Sequence, residues 1–381
     1  MYRPSNPGHP LPMLAQLGQS IWLDYIHRTM LADGELKALI ERKGVRGVTS
    51  NPTIFEQAIG GSDAYDAAIA RLAPGLPAVA VYEALAIDDI RAACDLFQPI
   101  YDMSGGNDGF VSMEVSPRLA NQTAATLAEA KRLWQAVDRP NVMIKIPGTR
   151  EGLPAIRDAI AAGLNVNVTL LFAVARYEAV IDAYLSGLEQ RIAAGQSIER
   201  VRSVASFFVS RVDTEVDKRL DAIVAAGGAA AARAGALRGT IAVANAKLAY
   251  QTYTAHFEAP RFRQLMARGA AVQRPLWAST GTKNPKYSDT LYVDNLIGPD
   301  TVNTMPPKTL EAFAEHGVAR RTVDDGLDEA RAELAALAEV GVSLDDVTAL
   351  LEAEGVKKFA DSFTELLAAV EAKRVHVASR A

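Results

Sequence analysis

The chain has little of what builds metal centres or disulfide frameworks. One cysteine, Cys94, excludes an internal disulfide and a cysteine-rich zinc site. It falls in residues 81–97 (VYEALAIDDIRAACDLF), a helical-looking stretch in which a small buried side chain is the simplest reading. The five histidines, His9, His27, His256, His316 and His376, are scattered. They show no His-Glu-x-x-His or clustered Asp/His spacing, so no metal site is expected. No run of about 18 apolar residues is present to cross a bilayer. The opening segment, MYRPSNPGHPLPML, is proline-rich and lacks the basic region and apolar run of a secretory signal. A cytoplasmic protein without membrane partners is expected. Basic excess is missing too: the net charge is -5, which disfavours binding along a nucleic-acid backbone but leaves room for a local basic pocket that holds one phosphate group. A G-x-x-x-x-G-K-[ST] loop is absent, and STGTK at 279–283 is the nearest approach to one.

What is present is enough apolar material for a large core, with 49% hydrophobic and 22% charged residues. Short β-rich segments alternate with longer helical ones, the pattern of parallel strands joined by crossover helices. Eight candidate strands occupy residues 21–26, 45–51, 110–116, 141–147, 164–172, 201–208, 274–280 and 300–307. Eight favours a closed α/β barrel of the (β/α)8 type over an open sheet. Helical periodicity is clear at 122–137, 175–195 and 327–341, and again from a Ser343-to-Asp346 capping pattern to about residue 373. In that last stretch Val347, Leu350, Leu351, Phe359, Phe363, Leu366 and Val370 form a stripe that reads as core. The Ala/Gly-rich residues 222–239 read as a helix end and a loop. The expected layout is an N-terminal extension (1–13), a barrel (14–323) and C-terminal helices (324–381) packed on it within the same domain.

Side chains alternate across a strand, so in a barrel sequence parity becomes geometry. In NVMIKIP (141–147), Val142, Ile144 and Ile146 suit the helix layer, which turns Met143 and Lys145 inward. In LNVNVTLLF (164–172), Val166, Val168 and Leu170 alternate with Asn165, Asn167 and Thr169. By the same parity Glu114 opposes Met113 and Val115, and Asp24 opposes Leu23. Burying an unpaired polar group costs about 2–7 kcal/mol, and an ion costs more. Such groups persist when they are paired with one another or used. Structural ion pairs between Lys145 and Glu114 or Asp24 would satisfy the first condition. A shared pocket at the C-terminal ends of the strands, where barrel enzymes place their sites, satisfies the second. Apolar neighbours disfavour the ammonium form of Lys145 and favour the free amine that attacks a carbonyl. The residues alone therefore lead to a metal-free carbonyl enzyme and name no substrate.

The segments GVTSNPTIFEQAI (47–59), VSMEVSPRLANQT (111–123), NVMIKIPGTREGLPAI (141–156), LNVNVTLLF (164–172) and SFFVSRVD (206–213) resemble the transaldolase family in order and spacing, and the resemblance extends over roughly residues 14–375. It implies a (β/α)8 barrel with Lys145 on the fourth strand as Schiff-base nucleophile toward C2 of a ketose phosphate. It further implies Asp24 as general base on the C4 hydroxyl, and Glu114 as an acid/base that works through a water held by Thr169. Asn51, Asn167 and Ser206 match the groups that bind a dihydroxyacetone unit, and Arg211 and Ser279 match phosphate contacts. After the seventh strand this chain reads Trp-Ala-Ser-Thr-Gly-Thr-Lys where shorter members carry an arginine, so Lys283 is expected to replace it without the bidentate geometry. Sugar phosphates are the expected partners, and no cofactor is implied. Related aldolases that release free dihydroxyacetone look different at the third-strand carboxylate and tend to carry tyrosine at Phe208, which favours transfer over simple cleavage.

Overall fold

A computed structural model describes residues 10–72 and 75–378; residues 1–9, most of the expected N-terminal extension, lie outside this range, as does His9. Eight parallel strands close into a barrel in sequence order: β1 (Gln19–Leu23), β2 (Val45–Val48), β3 (Val111–Glu114), β4 (Val142–Pro147), β5 (Val166–Leu171), β6 (Ser203–Phe208), β7 (Gln273–Ala278) and β8 (Thr301–Met305). Each lies within or overlaps one expected segment. The last strand pairs with the first from Gln19↔Thr301 to Leu23↔Met305, so the barrel has no free edge.

Paired residues of a parallel ladder point to the same side of the sheet, so register decides which side chains meet. Glu114 pairs with Lys145, and Lys145 with Asn167, which places the three in one row across β3, β4 and β5. Val142, Ile144, Ile146, Val166 and Val168 are all fully buried. Lower in the barrel the indole of Trp22 fills the lumen beside β2. A Cβ on Gly47 would stand 2.6 Å from that ring and 2.7 Å from the Phe110 carbonyl oxygen, so only glycine fits there.

The alternation of β5 breaks at one point. Val168 pairs with Ala205 and Leu171 with Phe207, three residues of β5 against two of β6, a bulge. Leu170 takes up the extra residue in left-handed backbone, φ 61°. The expected outward place of Leu170 in the alternation is therefore wrong. Its side chain instead reaches Gly355 of the C-terminal helix, whose Cβ, if present, would lie 2.9 Å from Leu170 Cδ2.

The expected helices are found at Ala78–Met103, Thr123–Val137, Val174–Ala193, Leu327–Glu339 and Leu344–Ala378. Ser343 caps the last of these, accepting a 3.1 Å hydrogen bond from the Asp346 amide. Cys94 is buried in the first, as expected. Residues 222–239 hold more order than expected: the helix Ser210–Ala226 stops at Gly227, but a further short helix, Ala231–Ala236, follows. A helix at Pro10–Gln16 straddles the expected boundary at residue 13 and gives Leu11 and Leu14 to the core. No helix among the described residues is long and apolar enough to cross a membrane.

The helix Leu344–Ala378 does more than add apolar surface. It packs on the helices Pro52–Gly60, Ala78–Met103 and Ser210–Ala226 and touches β5, so it lies across the C-terminal mouth of the barrel. Val347, Leu351, Phe359, Phe363, Leu366 and Val370 are buried as the stripe predicted, whereas Leu350 is only half-buried.

Candidate active site

Lys145 projects from β4 into the barrel with 4% of its surface exposed. Its Nζ donates to the Ser50 carbonyl oxygen at 3.2 Å and lies 3.6 Å from Glu114 Oε2. The amine is therefore held by β2 and β3 together. Burial pushes the Glu114 carboxyl up to about 7; the Lys145 charge opposes that rise and the Asp24 charge adds to it. Neither Glu114 oxygen has a hydrogen-bond partner among the described residues, and neither has the Thr169 hydroxyl. These are three orphaned polar atoms in one interior.

Asp24 stands one residue beyond β1, where its amide still donates to the Met305 carbonyl at 2.8 Å. Its Oδ1 accepts a 2.6 Å hydrogen bond from Thr49 Oγ1, which also meets Thr304 Oγ1 at 2.7 Å. The carboxylate is thereby aimed by two neighbouring strands. Asn167 and Ser206 form a second chain: Ser206 Oγ donates to Asn167 Oδ1 at 2.7 Å, and Asn167 Nδ2 donates to Ser112 Oγ at 2.9 Å. Asn51 has two readings in the sequence, turn chemistry before Pro52 or a ligand contact. The structure shows the first directly, since Asn51 Oδ1 accepts the Ile54 amide at 3.0 Å as the N-cap of Pro52–Gly60, while the residue still faces the cavity.

That cavity, about 130 Å³ in volume, is lined by Asp24, Asn51, Lys145, Ser206, Arg211, Ser279 and Lys283 among others. Thus seven of the ten expected residues share one wall. Glu114, Asn167 and Thr169 lie deeper, joined to it through Lys145, Ser206 and the inward face of β5. Arg211 belongs to the first turn of Ser210–Ala226 and packs its guanidinium 5.0 Å from the Phe208 ring centre. Burial holds Arg211 below the usual arginine range, although Asp24 opposes this. Lys283 is also lowered, first by burial and then by the charges of Arg211 and Lys358. Ser279 has left-handed backbone, φ 56°, and its hydroxyl meets Ser210 Oγ at 3.0 Å. Strained backbone at Leu170 and Ser279 brackets the site, a cost of about 1–3 kcal/mol each that functional sites commonly carry.

One residue of the site was not legible as such. Phe359, read from its periodicity as core, lines the cavity, and its ring centre is 5.9 Å from Lys145 Nζ and 6.0 Å from the Arg211 guanidinium carbon. Helical spacing identifies a buried side chain and is silent on what it is buried against. A larger cavity of about 550 Å³ lies behind β3, lined by Tyr82, Met113, Leu133 and Phe363, and it reaches Glu114 but not Lys145. The smaller, polar cavity is the one with convergent chemistry.

The sequence profile described as Transaldolase/Fructose-6-phosphate aldolase matches residues 21–370. The chain belongs to this family. Among its relatives, a protein named transaldolase from Acidothermus cellulolyticus is 54% identical over 95% of this chain and 96% of its own length. Proteins of the same name from Parafrankia sp. and Mycobacterium tuberculosis are 53% and 52% identical, covering 94% and 95% of this chain and 96% of each relative. The family description names two outcomes, transfer and cleavage. In this chain Glu114, Lys145 and Asn167 stand in one row across β3, β4 and β5.

Proposed function

We propose that Lys145 is the nucleophile of a dihydroxyacetone transfer. The chain is a transaldolase, a transferase of a three-carbon ketone unit, and the reading below assigns its residues. The observation that carries it is a buried amine 3.6 Å from a carboxyl raised to about 7.

The Lys145 amine attacks C2 of a ketose phosphate, fructose 6-phosphate or sedoheptulose 7-phosphate, to give a carbinolamine. Glu114, working through a water held with Thr169, protonates the C2 oxygen, which leaves as water and yields a protonated imine. Asp24, aimed by Thr49, takes the C4 hydroxyl proton. The C3–C4 bond breaks, the aldose phosphate departs, and the electron pair moves through C3 and C2 onto nitrogen as an enamine. No cofactor is needed, because the imine nitrogen is the electron sink. Asn51, Asn167 and Ser206 hold the hydroxyls of the three-carbon unit until erythrose 4-phosphate or glyceraldehyde 3-phosphate arrives and accepts the C3 carbanion. Hydrolysis of the new imine then frees Lys145.

Arg211, Ser279 and Lys283, which line the same cavity as the amine, receive the phosphate. The transfer is a step of the non-oxidative pentose phosphate pathway, and we infer a cytoplasmic enzyme in which the C-terminal helices are part of the catalytic unit. Borohydride reduction in the presence of fructose 6-phosphate, followed by mass spectrometry, is expected to leave one adduct, on Lys145. A folded protein with no adduct overturns the mechanism. Fructose 6-phosphate turnover is expected to require erythrose 4-phosphate; equal rates without it would identify a cleaving aldolase instead.

A further inference from the structure

Three cations gather at the phosphate end, and the third comes from an unexpected quarter. Arg211 and Lys283 line the catalytic cavity, but both also line a second cavity of about 270 Å³ on its outer side, whose far wall is the C-terminal helix with Lys358 and Glu354. Arg211 and Lys283 thus form the partition between the two. None of Arg211, Lys283 and Lys358 makes an ion pair or a hydrogen bond to an acidic group among the described residues. Lys357, the next residue in the chain, pairs with Asp361 at 2.5 Å one turn on. Lys358 has Glu354 one turn before it, the usual partner position, and forms no such pair. Glu215, the other acid of the cavity, is bound to Arg219 at 2.9 Å and to Lys218 at 3.4 Å.

Unpaired like charges repel, and the cost is recovered when an anion binds among them. The lowered position of Lys283, caused in part by Arg211 and Lys358, is that repulsion expressed on one of the three. A dianion spanning the partition would meet all of them at once.

We propose that Lys358 is a phosphate-recognition residue, which completes with Arg211 and Lys283 a three-cation seat for the phosphate of the sugar substrate. The seat explains how the chain does without a second arginine at this place: two point charges from different elements substitute for one bidentate fork. It also ties substrate recognition to the helix Leu344–Ala378, since Lys358 adjoins Phe359, the residue that faces Lys145. The proposal rests on the sugar-phosphate reading given above, and its test separates the two.

Binding of inorganic phosphate to the full-length chain, measured by calorimetry, needs no catalysis. Lys358→Gln is expected to weaken it by about 5- to 10-fold, the loss of one charge-assisted contact, and Lys358→Arg to stay within about threefold of the parent. The KM for fructose 6-phosphate should rise in Lys358→Gln by a similar factor with kcat little changed, and by far less for unphosphorylated fructose. Phosphate binding unaffected by Lys358→Gln, or KM values that rise equally for both sugars, would overturn the seat. Borohydride trapping with dihydroxyacetone reads the Schiff base alone: an adduct there alongside unaltered phosphate binding rejects Lys358 and keeps the mechanism, whereas no adduct alongside weakened phosphate binding does the reverse.

Discussion

The two ends of the barrel carry similar numbers of polar groups and treat them oppositely. At the N-terminal end Asp108 accepts from Trp22 Nε1 at 2.9 Å and from the Ser20 hydroxyl, and Arg274 donates to the Thr301 carbonyl at 2.6 Å and to Ser20 Oγ at 2.7 Å. Arg202, at the start of β6, donates to Asn107, Glu199 and Val201. Asp108, Arg202 and Arg274 there all have hydrogen bonds, although the side-chain carbonyls of Gln19, Asn141 and Gln273 have no partner among the described residues. At the C-terminal end Glu114 has none, and Arg211 and Lys283 feel the charge of Asp24 but make no ion pair among the described residues. A satisfied network stabilises a fold; an unsatisfied one stores binding free energy for a ligand. The contrast teaches that the pairing of charged side chains, rather than polarity, separates scaffold from site in this molecule.

Four substitutions sharpen or break this contrast. Lys145→Ala should lower turnover by on the order of 10⁴-fold in a protein that still folds, with a lower thermal midpoint because the buried Glu114 loses its partner at 3.6 Å; residual activity above trace would place the nucleophile elsewhere. Glu114→Gln should reduce kcat by about 10²- to 10³-fold, the scale of general acid catalysis and its electrostatic support. The parent rate should show an inflection near pH 7, with the protonated acid available below it and lost above, and the variant should lack it. The same raised carboxyl gives the folded state extra protonation. That contribution to stability is complete below about pH 4.5 and disappears as pH rises through about 7, so Glu114→Gln should flatten denaturation midpoints across this window.

At the other end the readout inverts. Asp108→Ala leaves the Trp22 indole and the Ser20 hydroxyl without their acceptor and removes the charge 3.8 Å from Arg274, and should cost about 2–3 kcal/mol of stability by chemical denaturation while kcat/KM of the folded fraction stays near the parent value. A catalytic loss larger than the stability loss would show that the two ends are coupled. Smallest of the four, Lys283→Gln should raise the KM for fructose 6-phosphate by about 10-fold at unchanged kcat. An equal loss in kcat would move Lys283 from phosphate binding to the reacting centre.

Much of this was legible beforehand because strands are short and strictly alternating. Lys145 among valine and isoleucine neighbours, and Asn165, Asn167 and Thr169 beside Val166 and Val168, are polar residues at positions of one parity, which in a barrel turns them to one side of the sheet. Register then needed nothing beyond consecutive parallel pairing. The reading failed where a local departure from alternation intervened. The bulge at Leu170 has no sequence mark, since leucine is a poor residue for left-handed backbone, and the contact with Gly355 that accompanies it lies 185 positions away. The place of Phe359 at the cavity escaped for a related reason: its periodicity announces a helix with a buried face, which holds, and what that face covers is chosen by how the last helix crosses the barrel mouth.

By itself, then, the sequence determined the eightfold alternation, the inward lysine and carboxyl, and the family to which the motifs belong, because each depends on neighbours within a few residues or on the invariant two-residue period of a strand. Only the tertiary structure decided which polar groups are left unpaired. It alone showed that Asn51 caps a helix while facing the cavity, and that Arg211 and Lys283 divide two cavities. Pairing depends on distances between residues far apart in the chain, and Lys145, the proposed nucleophile, illustrates it: its amine is positioned by the Ser50 carbonyl and Glu114, which no local pattern relates to it.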